Sequence, residues 1–596
     1  MSKDRFRTRE GRIRQAGMGA AIIVLTGLCQ MALAQTPPVR PEDYKRHSKP
    51  LEPEHRAAPA KFPEREIPES VDDKPLTKKP LAGVRFVPTP GGVVKDPNQP
   101  GIEIKDIELL DNDEFRAIIK PYLGKPISWR LISYMIRDTI LYCRSKDRPV
   151  VDVITPEQDV TEGIVQLLVI EARVGEVKVE GLKWFSPEHI RRQIGLQPGD
   201  TIEAKPLLAD IDYINNNPFR FVRPILQPGK EFGTTDIIID GKDKFPFRFY
   251  GGYDDTGSRA TGLERLFIGT NMGNVFGLGH EVGYQYTTNK RIKSLGIHSA
   301  YWRIPLPNRD TLAFFGNFSH YDYDRTTEGE LDSHNWMAHV RYISALPSRH
   351  NLRHEIEFGM DFRRLDNDLQ VGGATVYDDF IDVAQFAFQY GGRLKDRWGD
   401  TSWTMNLYWS PCPDLLSNDQ NDTKYQDVRA GAEASYLYSH MSVDRLWVLP
   451  KDWSIFNRVT AQVSTDRLVP SEQLGLGGYN RVRGYDDFEV LADSGLMATA
   501  EVRTPEWKLG SIDGGGKLQH FIQFLTFCDY GWARNRGSYA ADPYKTTDMV
   551  SVGAGLRYRI NNNLQLRFDY AQQMETIPNG NVGHGGRCHI SAIISY

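Results

Sequence analysis

Over most of the second half of the chain, apolar and polar residues alternate one by one. Leu564, Leu566, Phe568 and Tyr570 interleave with Gln565, Arg567 and Asp569, and Ile356, Phe358, Met360 and Phe362 with Glu355, Glu357 and Asp361. Trp403, Met405, Leu407 and Trp409 do the same with Thr404, Asn406 and Tyr408. A period of two is that of a β-strand, whose successive side chains point to opposite faces. A soluble sandwich alternates too, but with strands of about 5 to 6 residues and small hydrophobes inside. Several runs here are longer and end in aromatics, as do strands that turn an apolar face to lipid and place aromatic girdles at the interfaces. Residues 245–596 are therefore expected to form a transmembrane antiparallel β-barrel, and their number accommodates about 16 strands of roughly 10 residues with turns and loops. In RCHISAIISY the same parity turns Cys588, Ile590, Ala592, Ile594 and Tyr596 outward, so the sequence ends on an aromatic of the lipid-facing set.

Upstream, from 101 to 244, the pattern switches to short strands mixed with amphipathic helices. IEIKDIELL reads as a strand, DEFRAIIKPYLG as a short helix, WRLISYMIRDTILYCRSK as a longer one, and RPVVDVI and GIVQLLVIEARV as two strands. The order then recurs. EVKVEGL precedes SPEHIRRQIG, where Ser186 can cap a helix opening on Pro187 and Glu188, followed by PLLADIDYINNNP, RFVRPILQPG and TTDIIIDGKD. Pro228-Gly229 is placed to turn the last two runs into a hairpin. Two α+β units of about 70 residues each, 101–174 and 175–244, form an internal repeat. Between 35 and 100 the chain is dense in Pro and mixed charge without a hydrophobic period, which predicts an extended or disordered linker.

The N-terminus sets the compartment. Lys3, Arg5, Arg7, Arg9, Arg12 and Arg14 precede an apolar run over 20–28 and the small residues Ala32-Leu33-Ala34, the form of a secretory signal peptide over 1–34. The run is shorter than the roughly 20 residues of a spanning helix, and no later stretch supplies one. Cys29 follows the bulky Leu28, which disfavours a lipoprotein site. A formal net charge of −4 argues against nucleic-acid binding. Cys143, Cys412, Cys528 and Cys588 are too far apart for a metal cluster or a small disulfide framework and read as free thiols. There is no G-x-S-x-G elbow, H-E-x-x-H helix, P-loop or Cys/His spacing, so no catalytic residue, metal or cofactor is expected.

Several segments together carry a family resemblance. The two units resemble tandem POTRA domains. TPEQDVTEGIVQLLVIEARVGEVKVEG (155–181) and NNNPFRFVRPILQPGKEFGTTDIIID (215–240) resemble the domain junction and second POTRA domain of two-partner secretion transporters of the FhaC/ShlB/HecB type. YDDTGSRATG (253–262) and NVFGLGHEVGYQY (274–286) are similar to that family's first barrel strands. Within LVPSEQLGLGGYNRVRGYDDF (468–488), Val482-Arg483-Gly484-Tyr485 matches the VRGY/F signature of the sixth extracellular loop, and FLTFCDYGWA contains Phe527, Asp529 and Gly531 in an F-x-D-x-G strand motif.

The resemblance implies sixteen strands and a loop folded back into the lumen. A guanidinium there needs a carboxylate to offset its desolvation, and its planar fork suits one. Strand parity puts Phe527, Asp529 and Gly531 on one face and Cys528, Tyr530 and Trp532 on the other, so an Arg483–Asp529 salt bridge is expected to pin the loop. Gly484 would permit a sharp tip, and Tyr485 would pack on the wall. The implied function is secretion, through the outer membrane, of an unfolded adhesin- or cytolysin-like partner received by periplasmic POTRA domains. The other implied partners are outer-membrane lipid and the barrel-assembly machinery, with the transporter a monomer. The alternatives are an assembly factor of the same superfamily, which would carry more POTRA domains, and a passive porin, which would carry none. Family members commonly have an N-terminal helix that plugs the pore; no such amphipathic helix is visible between 35 and 100.

Overall fold

The computed structural model describes residues 72–596 apart from 96, 98, 258–260, 293, 326–328, 348–350, 372–373, 514–516, 540–541 and 578–584. The signal peptide over 1–34 and the first part of the expected linker lie outside the described residues. The chain divides into two compact units that meet between Phe245 and Pro246.

The first unit holds two α+β domains. In the first domain, β1 (Gly83–Val87), β2 (Gly101–Ile104), β3 (Val151–Ile154) and β4 (Ile164–Glu171) form a sheet in the order β2-β1-β4-β3, with α1 (Asp113–Ile119) and α2 (Trp129–Ser145) packed on it. Both helices start where the sequence supplies a cap. The Asn112 side chain accepts from the Phe115 N–H, and the Ser128 hydroxyl from the Leu131 N–H, satisfying donors that a helix N-terminus leaves open. Leu131, Ile132, Met135, Thr139, Ile140, Tyr142 and Cys143 form the buried stripe of α2 at helical spacing. Phe115 ties the layers together, with ring centroids 5.1 Å from both Phe86 and Tyr142.

Two expectations need correction here. The linker expected over 35–100 does not extend through 83–87, because β1 is an interior strand paired in parallel with both β2 and β4. Phe86 and Val87 are fully buried, and Val84 nearly so. A five-residue strand covered on both faces has no alternation to show. IEIKDIELL is a strand only as far as Ile104, since Asp106 adopts φ 55° and the chain turns toward Asn112.

The second domain is a three-stranded sheet in the order β5-β7-β6, built from β5 (Arg173–Glu180), β6 (Arg220–Pro228) and β7 (Thr234–Asp243) and covered by α3 (Pro187–Arg192) and α4 (Ala204–Ile214). Ser186 caps α3 through the His189 N–H. Asn215 ends α4 and exchanges two hydrogen bonds with the Val222 backbone, at 2.7 and 2.9 Å, which fixes the helix end against β6. Ile190, Leu207, Ile211, Ile214, Val222, Ile237 and Ile239 form its fully buried core.

The second unit is a closed antiparallel barrel from Phe247–Asp254 to Gly586–Ser595, with the two end strands paired to each other. Seventeen strand segments occupy sixteen positions: Ser494–Arg503 and Trp507–Asp513 both pair with Lys517–Arg534 and are one strand interrupted at 504–506. Pro505 lies in that gap, where it has no N–H to offer the ladder. The alternating parity holds in three dimensions. Phe358, Met405, Leu407, Trp409, Leu566, Phe568, Tyr570, Ile590 and Ile594 are exposed on the outer face, while Glu357, Asp361, Asn406, Asp569 and His589 are buried toward the lumen. Short turns such as 276–279, 306–310 and 449–453 lie at one rim, and the long connections 411–435, 465–493 and 535–545 lie at the other, which is the extracellular rim of such barrels.

The cysteines give the first test. Cys143 is buried in α2, and burial pushes its thiol up to about 12, so little of the reactive thiolate forms there at pH 8. Cys528 and Cys588 are exposed on the lipid face. A charged maleimide is expected to leave all three unlabelled in the folded, membrane-embedded chain. All three are expected to be labelled after denaturation; labelling of Cys528 or Cys588 by the charged reagent in the folded, embedded chain would contradict their place on the lipid face.

A lumen loop pinned to the barrel wall

The connection 465–493 is the sixth at the extracellular rim, and it folds inward. Leu474–Leu476 pairs with Val490–Ala492 as a short hairpin arm. Leu474, Leu476, Val482, Tyr485, Val490 and Ala492 pack as one buried cluster with Met497, Ala533 and Met549 of three neighbouring wall strands. The arm therefore lies on the wall, and the backbone turn at its end carries the VRGY residues.

Arg483 meets Asp529 in a bidentate pair. Nε donates to Oδ2 at 2.7 Å, Nη2 to Oδ1 at 2.8 Å, and the Arg483 backbone N–H to Oδ2 at 3.1 Å. Asp529 is completely buried and Arg483 is 2% exposed, so each charge relies on the other. Nη1 lies 2.8 Å from Glu501 and 3.5 Å from Asp569, and the guanidinium sits 3.4 Å from the Phe527 ring centroid. Surrounding arginines balance those carboxylates: Arg503 pairs with Glu501, and Arg557 and Arg567 pair with Asp569.

Each remaining motif residue has a local reason. Gly484 adopts φ +91°, which an L side chain rarely takes, and its N–H donates to His589 Nε2 at 3.1 Å while its carbonyl accepts from Gln573 at 2.7 Å. A Cβ on Gly484 would come within 3.2 Å of Ala571. Because Nε2 accepts, the His589 proton belongs on Nδ1, which is 3.0 Å from Asp255. The Tyr485 hydroxyl lies 2.7 Å from the Glu575 carbonyl and 2.9 Å from the Val550 carbonyl, either of which can take its proton, and accepts from the Val550 N–H at 3.2 Å. A Cβ on Gly531 would lie 2.9 Å from both Leu476 and Val482, so this glycine provides the room that lets the arm touch the wall. In F-x-D-x-G, then, the Phe supports the guanidinium, the Asp pairs it and the Gly admits the loop.

The structure thus brings all seven expected residues, Val482, Arg483, Gly484, Tyr485, Phe527, Asp529 and Gly531, into one cluster. Sequence reasoning did not assign Glu501, His589, Gln573 or Asp255. Asp569 stood on the polar side of the alternation, which was the available signal. At the loop's root Arg467 pairs with Asp542, and Arg429 pairs with Asp493 and reaches Asn535 at 3.0 Å, joining the neighbouring extracellular connections. Among the described residues no helix is long and apolar enough to span a membrane, and no group of three or more His, Cys, Asp and Glu side chains could hold a metal ion.

A sixteen-strand barrel holding such a loop, preceded by a pair of small α+β domains, defines an outer-membrane transporter with its POTRA domains in the periplasm. The family model for the haemolysin secretion/activation protein ShlB/FhaC/HecB matches residues 233–558, and that for the ShlB-type POTRA domain matches 100–172; the chain belongs to the ShlB/FhaC/HecB family. The heme/hemopexin transporter protein HuxB of Haemophilus influenzae (strain 86-028NP) is 22% identical over 478 residues, covering 76% of this chain and 80% of HuxB. The outer membrane transporter CdiB of Escherichia coli O6:K15:H31 is 22% identical over 426 residues, 67% of this chain and 66% of that protein. The fold is similar to the solved structures of CdiB from Escherichia coli (TM-score 0.69, 15% identity, 96% of this chain and 98% of that one) and from Acinetobacter baumannii (TM-score 0.63, 14% identity, 96% and 99%).

Gly531→Val would fill the space used by Leu476 and Val482. It is expected to destabilise the loop-closed barrel by about 1–3 kcal/mol, measured as a lower midpoint in detergent denaturation. An unchanged midpoint would mean that the arm does not lie where it is described.

Proposed function

We propose that this transporter receives an unfolded, exported partner protein on its POTRA domains and secretes it through the barrel lumen, with the Arg483–Asp529 pair holding the loop that the partner must pass. The observation that carries this reading is the buried bidentate pair joining the loop tip to the wall of a transporter-family barrel. A loop tip pinned by a charge pair has a defined contact to break.

The partner is an adhesin- or cytolysin-like exoprotein that arrives extended. Extended chains add to open sheet edges through backbone hydrogen bonds. In the second domain β5 and β6 are the edge strands, and Pro224 removes a donor from β6, which favours β5. Folding of the partner outside the cell supplies the driving force. The transporter makes and breaks no covalent bond and uses no cofactor. It works as a monomer inserted into outer-membrane lipid by the barrel-assembly machinery.

The test is co-expression with a candidate partner, a large secreted protein encoded beside it, followed by assay of the medium. Arg483→Ala leaves Asp529 without its partner at a cost of roughly 3–5 kcal/mol for a buried pair. Export is expected to fall severely while the barrel still reaches the membrane, with Arg483→Lys intermediate because it keeps the charge and loses the fork. Wild-type export by Arg483→Ala would refute the role given to this pair.

A further inference from the structure

The lumen loop is held at a second place. Glu472 is completely buried and accepts from Gln385 Nε2 at 3.1 Å, the Tyr438 hydroxyl at 2.7 Å and its neighbour Ser471 at 3.0 Å, and it forms an ion pair with Arg363. Arg363 is itself buried, and its Nη2 lies 3.7 Å from Asp361, which also pairs with Arg341 and His339. The Gln385 carbonyl accepts from the Tyr436 hydroxyl at 3.0 Å, fixing the amide so that its NH2 points at Glu472.

These partners stand on a different part of the ring from those of Arg483. Arg363, Gln385 and Tyr438 belong to Leu352–Val371, Ala374–Asp396 and Tyr436–Val448, the seventh, eighth and tenth positions around the barrel. Glu501, Asp529 and Asp569 belong to Ser494–Arg503, Lys517–Arg534 and Leu564–Gln573, the twelfth, thirteenth and fifteenth. The two ion pairs, Glu472–Arg363 and Arg483–Asp529, use the seventh and thirteenth strands, six positions apart in a ring of sixteen. One loop therefore gives a carboxylate to one group of wall strands and a guanidinium to another, and each group carries the complementary charge.

We propose that Glu472 is a second positioning residue, the far end of a strut that keeps the loop across the lumen and closes the resting pore. This rests on the transporter reading above. A tip held by Arg483 alone is fixed to one side only, and the width of the lumen between the arm and the other group of strands is then free to fill with water. The Leu468 and Val469 side chains just before Glu472 pack against Leu365, Ile381 and Val383, so the loop's root stays in place and the carboxylate sets how the chain leaves it.

The experiment is single-channel recording of the purified full chain in planar bilayers. Glu472→Gln is near-isosteric and Arg363→Gln replaces the guanidinium with a shorter neutral amide, and heat-modifiable migration reports whether each barrel is folded. Each is expected to raise the fraction of time spent open by at least about fivefold, the low end of ordinary coupling energies between sites. The double variant is expected to exceed neither single, because both remove the same contact. Glu472→Asp, which keeps the charge, is expected to stay near wild type, a rescue that loss of packing alone would not give. Folded single variants that conduct like wild type, or a double variant whose effects add, would overturn the proposal. No secreted partner enters the measurement, so a negative result leaves the secretion reading untouched, and failed export with the expected conductances would count against that reading alone.

Discussion

A guanidinium cannot be buried without a carboxylate, and that constraint organises this barrel's interior. Arg483 enters a lumen walled by β-strands, where losing water costs several kcal/mol unless charge and hydrogen bonds are returned. Asp529 returns both through two parallel N–H···O bonds. Glu501 and Asp569 then add negative charge that Arg503, Arg557 and Arg567 balance. The glycines follow from the same contact: Gly484 lets the tip turn and Gly531 lets it approach.

The same logic explains why the wall strands alternate so cleanly. A residue on one parity meets lipid and must be apolar, while a residue on the other meets the loop or the lumen and is polar, small or packed against the loop's apolar arm. Lys517–Arg534 shows both demands in consecutive positions, with Phe527, Asp529 and Gly531 under the loop and Cys528 and Tyr530 exposed on the other face. A one-residue slip would send Asp529 into the membrane and leave Arg483 without a partner, so register and function are specified by the same residues.

Much of this was legible in the sequence because it depends on local rules. Parity identified the faces of the barrel strands, and Ser186 and the NNNP run marked the ends of helices. VRGY and F-x-D-x-G indicated a pair that lies 46 residues apart in the chain. What stayed hidden depends on distant partners. Glu472 is an ordinary glutamate until Arg363, 109 residues earlier, is placed beside it. His589 and Asp255 meet only where the barrel closes. β1 escaped notice for a different reason: buried on both faces and flanked by prolines, it has neither alternation nor a helical period.

An extended polypeptide travelling through the lumen can be detected from neighbouring residues of one strand. Asn406 faces inward at 6% exposure and Leu407 faces outward at 41%. A photo-crosslinking amino acid placed at each position in turn, in cells exporting the secreted partner, distinguishes passage through the barrel from movement along its outside. Partner crosslinks are expected from position 406 and none from 407. Crosslinks from 407 alone, or from neither position during active export, would contradict passage through the lumen.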